Sequence, residues 1–363
     1  MASYDKYVSD IIYQNKKMKG DLLMSKIKTC VSLYSLQDEY LNKRMSLEDI
    51  FKFLAENEVE GIEIIPDQML HNTPHPSEET LAEWDRLVST YKMKPVIADV
   101  FLNTNLYKNR ELTKKECVDL LIEEIKLANR LGIKLIRLVS MVPAFVIEPL
   151  LSYAEKYNVT LALEIHAGLS FDVPKTQEFI NEMKRLNSPY VGLVIDTGIF
   201  CRKLPRVMAD YCKQHLGTKQ EVIDYINNIF AQGKDPRKVI LEHGGFPADL
   251  KKLLISEADH FFAHFSDGYE NEPYSVLDEY IPYIKHFHFK LFEMTETGEE
   301  YSMDYKGILQ YLYEKGYVGY VSTEYEGNRW VLPGHPMVEK EQVLAHQALI
   351  RNVIKELEGQ EVY

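Results

Sequence analysis

The sequence predicts an α/β chain folded as a closed (β/α)8 barrel. Three observations carry that expectation. From about residue 27, short apolar strand-like runs alternate with amphipathic helix-like stretches, and eight such units follow in order. Four of the later strand-like runs end on a carboxylate or imidazole, which suits a barrel whose strand ends share one face. The 363 residues suffice for one barrel with extensions. A doubly wound open sheet is the alternative, but it seldom needs this many strictly alternating units.

Residues 1–25 are polar and aromatic without a strong period, and read as an N-terminal arm that could pack on a neighbouring subunit. KIKTCVSLYSL (26–36) holds the first strand. MSLEDIFKFLAENE (45–58) is the first helix, and Ser46 with Asp49 three residues on forms a capping-box-like start. VEGIEIIPD (59–67) is the second strand and SEETLAEWDRLVSTY (77–91) the second helix. KPVIADVFLN (94–103) is the third strand. TKKECVDLLIEEIKLANRLG (113–132) is a long helix that Gly132 closes. IKLIRLVSM (133–141) and VTLALEIHAG (159–168) are strands four and five, with a helix at 143–156 between them. A fifth helix at 175–186 leads to strand six, YVGLVIDTGIF (190–200).

Regularity then breaks. Residues 201–280 read as an insertion with helix-like pieces and four histidines, His215, His243, His260 and His264. The pattern resumes with YIKHFHFKLFEM (283–294), a helix at 305–316 ending on Gly316, and YVGYVSTEYEG (317–327) as strand eight. The barrel unit is therefore set at 26–335, with a C-terminal helix and tail at 336–363.

A net charge of −13 argues against broad affinity for nucleic acid or an anionic membrane. No run of 18 apolar residues predicts a transmembrane helix, and the N-terminus lacks the apolar core of a signal peptide. The four cysteines form no CxxC and match no zinc-ribbon spacing. Free thiols in a reducing cytoplasm are the expectation.

The chemistry is expected at four strand ends: Glu164 in LALEIHAG, Asp196 in GLVIDTGIF, His288 in KHFHFKLF and Glu324 in GYVSTEYEG. A parallel barrel presents all strand C-termini at one face, and alternate side chains there point to the lumen. Strands five to eight are neighbours, so the four can meet. An unpaired carboxylate in a buried strand is costly, and a shared divalent cation removes that cost. Three carboxylates and one imidazole favour Mn²⁺ or Mg²⁺, with Fe²⁺, Co²⁺ or Zn²⁺ possible. Taken singly, each residue reads more simply as a cap, an ion-pair partner or a core histidine; the coincidence of four argues for the metal. His286, His288 and Lys290 share one face of strand seven, with Phe287 and Phe289 opposite.

In this arrangement the chain resembles the xylose-isomerase-like barrels, whose sugar isomerases and ketose 3-epimerases bind a divalent metal through Glu, Asp, His and Glu in this strand order. That resemblance implies Glu164, Asp196, His288 and Glu324 as metal ligands, and selects His288 over His286. Two departures weigh against simple epimerisation: no histidine follows Asp196 in DTGIF, and Glu164 leads into Ile165-His166-Ala167-Gly168. EIHAG, DTGIF, HFHFK and VSLYSLQDEYLNKRMSLEDIF are more similar to the large (α) subunits of bacterial C-glycoside deglycosidases. That likeness implies Mn²⁺, a small β subunit as partner, and His166 as the catalytic histidine. It implies a lyase that cleaves the C–C glycosidic bond of 3-oxo-C-glycosides carrying flavonoid-type aglycones, as part of a hetero-oligomer. Lys290, Arg137 and Asp99 are candidate substrate contacts. Lys290 could instead pair with a lumenal carboxylate such as Asp99, and Arg137 could instead hold Glu164. Tyr34, Asp67 and Asn103 end other strands and are candidates for the pocket wall. The alternative function is a metal-dependent isomerase or 3-epimerase of free sugars.

Overall fold

A computed structural model describes residues 27–139 and 141–359. The N-terminal arm expected at 1–25 lies outside the described residues. Eight strands form a closed, all-parallel barrel in sequence order: β1 Ile27–Ser32, β2 Gly61–Ile64, β3 Lys94–Val100, β4 Leu135–Leu138, β5 Thr160–Ile165, β6 Val191–Asp196, β7 Ile284–Leu291 and β8 Gly319–Tyr325. Pairing of β1 with β8 closes it. The expected β/α alternation is observed: helices α1 Leu47–Glu56, α2 Glu78–Tyr91, α3 Lys114–Arg130, α4 Ile147–Tyr157 and α5 Pro174–Leu186 separate the first six strands. Strand four is shorter than its apolar run suggests, and a 3₁₀ turn at Ala144–Val146 takes up the start of the helix expected at 143–156.

Local rules explain the helix ends. Ser46 and Asp49 make a reciprocal capping box at α1, as Thr113 and Glu116 do at α3. Gly132 takes φ +78° just past α3, a left-handed conformation that an L side chain resists. Gly192 in β6 has a different reason. A Cβ there would lie 2.5 Å from Tyr283 O and from Lys285 Cγ, where the approach to β7 crosses close to the strand. Gly192→Ala is expected to destabilise the barrel by about 1–3 kcal/mol, read as a lower denaturant midpoint.

Between β6 and β7 the chain leaves the barrel rhythm. Five helices occupy this segment: α6 Arg206–Tyr211, α7 Gln220–Ala231, α8 Pro236–Glu242, α9 Ala248–Leu253 and α10 Glu257–Phe265. α10 starts on another capping box, Ser256 with Asp259. Asp259 also accepts from the backbone N–H groups of Lys219 (2.9 Å) and Ile255 (3.2 Å), which ties α7 to α10. Burial pushes this carboxyl up, but those N–H donors outweigh it and bring it down to about 2. Its contribution is therefore present above its ordinary 3.8 and is lost as pH falls towards 2. Asp259→Ala should cost roughly 1–3 kcal/mol at neutral pH, and the difference from wild type should shrink on acidification. An unchanged gap between their denaturation midpoints at pH 7 and pH 2.5 would count against this account.

α11 (Tyr305–Glu314) and α12 (Glu339–Gly359) complete the outer layer. α12 packs on β1 and β8, where Gln347 Nε2 donates to Cys30 O (2.9 Å) and Thr323 Oγ1 (2.8 Å). All four cysteines are buried and free. Among the described residues, no helix is long and apolar enough to cross a membrane.

The lumen is layered, and the layers position the site. Ile97, Leu135, Ala162 and Val194, one each from β3 to β6, pack as a small apolar cluster. Two residues further along the same strands come Asp99, Arg137, Glu164 and Asp196. Side chains alternate along a strand, so these four stand one layer above the apolar floor.

Candidate metal centre and cavity

The charged layer contains Glu63, Asp99, Arg137, Glu164, Asp196, His288 and Glu324, all buried. Strand register brings them together: Asp99 is opposite Arg137, Asp196 opposite His288, and Lys290 opposite Glu324. Ligand-type atoms of Glu164, Asp196 and His288 all lie within 4.8 Å of one another. Glu324 Oε1 is 3.2 Å from His288 Nδ1. The four residues singled out from the strand ends therefore converge.

Two cations lie among them. Arg137 Nη1 is 2.6 Å from Glu164 Oε1, 2.9 Å from His288 Nδ1 and 3.4 Å from Glu324 Oε1, while its Nε donates to Asp99 Oδ1 at 2.6 Å. Lys290 Nζ is 2.6 Å from Glu324 Oε2, 2.8 Å from Asp196 Oδ2 and 3.3 Å from Glu326 Oε2. Lys290 thus pairs with three carboxylates, and Asp99, the partner first considered for it, pairs with Arg137. Asp196 Oδ2 has ion-pair distance to Lys290 but not hydrogen-bond alignment.

Glu63 is the residue that the strand-end reading missed. It sits in β2 with no exposed surface, and His288 Nε2 donates to its Oε1 at 2.5 Å. The signal was a lone charge inside the apolar run GIEII. Fixing the Nε2 proton aims Nδ1 at Glu164 and Glu324, as carboxylates behind ligand histidines do. Burial and Arg137 lower the proton affinity of His288, while Glu63 and Glu324 raise it and prevail. Even so, Arg137 can only donate, so its 2.9 Å contact assigns Nδ1 as an acceptor. His286 is the lower histidine; its Nε2 meets Ser322 Oγ at 2.7 Å, and burial pushes it down to about 3.

The charge balance fits a divalent cation. Burial, reinforced by the like charge of Glu63 and opposed by Arg137, pushes Asp99 well above the carboxylate range. Burial raises Glu324 and Glu164 too, but the neighbouring cations hold them low. Burial likewise raises Asp196, to about 6. The ionised Glu63, Glu164, Asp196 and Glu324 face Arg137, Lys290 and His288, so negative charge is in excess in low dielectric, and a divalent ion offsets it.

Above this layer lies a cavity of about 490 Å³. Glu164, Asp196, Glu324, Arg137, Lys290 and His166 line it, whereas Asp99 does not. Of the three substrate-contact candidates, Asp99 is the one outside the cavity lining: it is buried against Arg137, whose Nε donates to it. Tyr34 reaches the cavity wall; Asp67 and Asn103 do not. His166 Nδ1 is 2.6 Å from Ala167 O, an acceptor only, so Nδ1 carries the proton and Nε2 is the basic nitrogen. The loop after His166 is pinned where Gly168 N–H donates to Glu270 Oε1 at 2.9 Å. The segment between β6 and β7 supplies His264, Phe265, Gly268 and Tyr269 to the wall. Of these, the sequence reading had noted only His264, without a role.

Eight parallel strands closed in sequence order define a TIM barrel, and residues 51–218 match a family model described as xylose isomerase-like TIM barrel. The curated relatives of the chain are alpha subunits of C-glycoside deglycosidases. The 3'-dehydrocarminate deglycosidase alpha subunit of a Microbacterium species is 26% identical over 91% of this chain and 96% of its own length. The C-glycoside deglycosidase alpha subunit of Arthrobacter globiformis is 28% identical over 83% of this chain and 84% of its own. Among solved structures, D-psicose 3-epimerase with D-tagatose from Clostridium cellulolyticum superposes with a TM-score of 0.56. It is 12% identical, with 90% of this chain and 99% of that one covered, a likeness of fold.

Proposed function

We propose that the chain is the catalytic subunit of a heteromeric C-glycoside deglycosidase. In this reading it is a metal-dependent lyase that breaks the bond between C1 of a 3-oxo-C-glycoside and an aromatic, flavonoid-type carbon. A small β subunit is its partner, and the names of the curated relatives support both the reaction and a partner. The free, buried cysteines support action in the reducing cytoplasm.

The observation that carries the reading is His166. It stands two residues past Glu164, lines the cavity, and has its tautomer set by Ala167 O. Glu164, Asp196, His288 and Glu324 would hold Mn²⁺, or else Mg²⁺, Co²⁺ or Fe²⁺. When bound, such an ion supplies positive charge against which a substrate ketone oxygen becomes a better electron sink. His166 then moves the protons. The C3 ketone acidifies the hydrogen on C2, and the imidazole accepts that proton. The electrons form a C1–C2 double bond, and the pair of the C1–aryl bond departs with the aryl carbon. That carbon must gain a proton, which protonated His166 can return. Lys290, which also lines the cavity, would donate to a sugar oxygen.

The test uses the chain purified with its partner subunit. Metal analysis should find about one divalent ion per barrel. Incubation with a 3-oxo-C-glucosyl flavone should liberate the flavone, followed by chromatography. If a free ketohexose is epimerised and no flavone appears, the isomerase alternative replaces this reading.

A further inference from the structure

We infer that the segment between β6 and β7 builds an aromatic subsite for the aglycone, formed by Phe265 and Tyr269, with Phe101 at the cavity rim. The inference rests on the lyase reading above and assigns the half of the cavity that its chemistry does not use.

The cavity lining holds two kinds of side chain. Carboxylates, Lys290, Arg137 and His166 come from the ends of β4 to β8, while Phe265 and Tyr269 from the β6–β7 segment, with Phe101 just past β3 and Phe292 just past β7, supply aromatic surface. Phe101 follows β3 and is 49% exposed although it lines the cavity, an uncovered ring with no role in the barrel core. Phe265 is the last residue of α10. Its ring packs edge-on against Trp330 at 5.2 Å and tilts against Tyr269 at 5.8 Å. Tyr269 in turn meets Phe292 edge-on at 5.3 Å. Rings fixed by such neighbours lose little freedom when a planar ligand stacks on them.

Size points the same way. A volume of 490 Å³ lies in the range of roughly 300–1,000 Å³ typical of sites for drug-sized ligands, the size class of an aryl glycoside. Hydroxyl groups of a sugar suit the polar side chains, and a flat phenolic ring system suits the aromatic ones. The two kinds of lining thus match the two halves of an aryl C-glycoside.

The experiment reads binding and turnover separately in the full complex. The binding probe is free 5,7-dihydroxyflavone, followed by quenching of Trp330, one of two tryptophans in the chain and the one in contact with Phe265. Wild type should quench on titration. Phe265→Ala and Phe101→Ala should each weaken flavone binding, and raise KM for the 3-oxo-C-glucosyl flavone, by up to about tenfold. Phe265→Tyr should restore both. Because Phe101 is half exposed, its variant keeps the test valid if Phe265→Ala misfolds. Unchanged flavone affinity and KM in Phe101→Ala and Phe265→Ala, with flavone still released, would overturn the subsite and leave the lyase reading intact. No flavone release by the wild-type complex would remove the lyase reading, and the aglycone assignment with it.

Discussion

His166→Ala is expected to lower flavone release from a 3-oxo-C-glucoside by about 10²–10⁴-fold, the usual contribution of a positioned acid–base group. The bound metal should remain, because His166 is not among the converging ligand atoms of Glu164, Asp196 and His288. The pairing of effects is the informative part. Glu164→Gln should also abolish turnover, but it removes a ligand-type carboxylate and so should lose metal too. Metal content by elemental analysis therefore separates the two variants where activity does not. His166 is also half-buried at the cavity wall, and the buried Glu164 that it acts on keeps Arg137 as its partner, so its truncation should move the melting temperature little. Release undiminished in His166→Ala would remove this residue from the mechanism, whatever the metal does.

How far the site was legible follows from what strand alternation can and cannot convey. Glu164, Asp196, His288 and Glu324 could be read because each ends an apolar run, and parallel strands deliver their ends to one face. Eight alternating units gave the barrel for the same reason. Glu63 escaped because it interrupts the run GIEII instead of ending it, and only the closed barrel shows that β2 puts it against His288 across the lumen. Asp99 was read as a substrate contact because it faces the lumen, but within the charged layer it is buried against Arg137 and does not line the cavity. Phe265 and Tyr269 lie in a segment with no barrel period. Which of its apolar residues returns to the cavity depends on the packing of five helices, and no local pattern encodes that.

Arg137 is the residue whose loss should reshape the centre most. Arg137→Met keeps the length and apolar stem of the side chain but removes the guanidinium from Glu164, Asp99 and His288 at once. Removing one partner from a buried ionic network strands the others, at a cost of about 3–5 kcal/mol. Metal-free protein should thus unfold at a clearly lower denaturant concentration. A divalent cation should then matter more to the variant than to wild type. In wild type Arg137 Nη1 contacts Glu164 and His288 Nδ1, two of the groups a cation would use, so guanidinium and cation compete for the same lone pairs. Without that competitor, Mn²⁺ affinity should rise. Saturating the site at 100 times its Kd should return about 2.7 kcal/mol of the lost stability. Denaturation curves with and without Mn²⁺, together with calorimetric titration, read both effects. If the variant instead binds Mn²⁺ more weakly, Arg137 is a support that aligns Glu164 and His288 for the ion, and not a rival for their lone pairs.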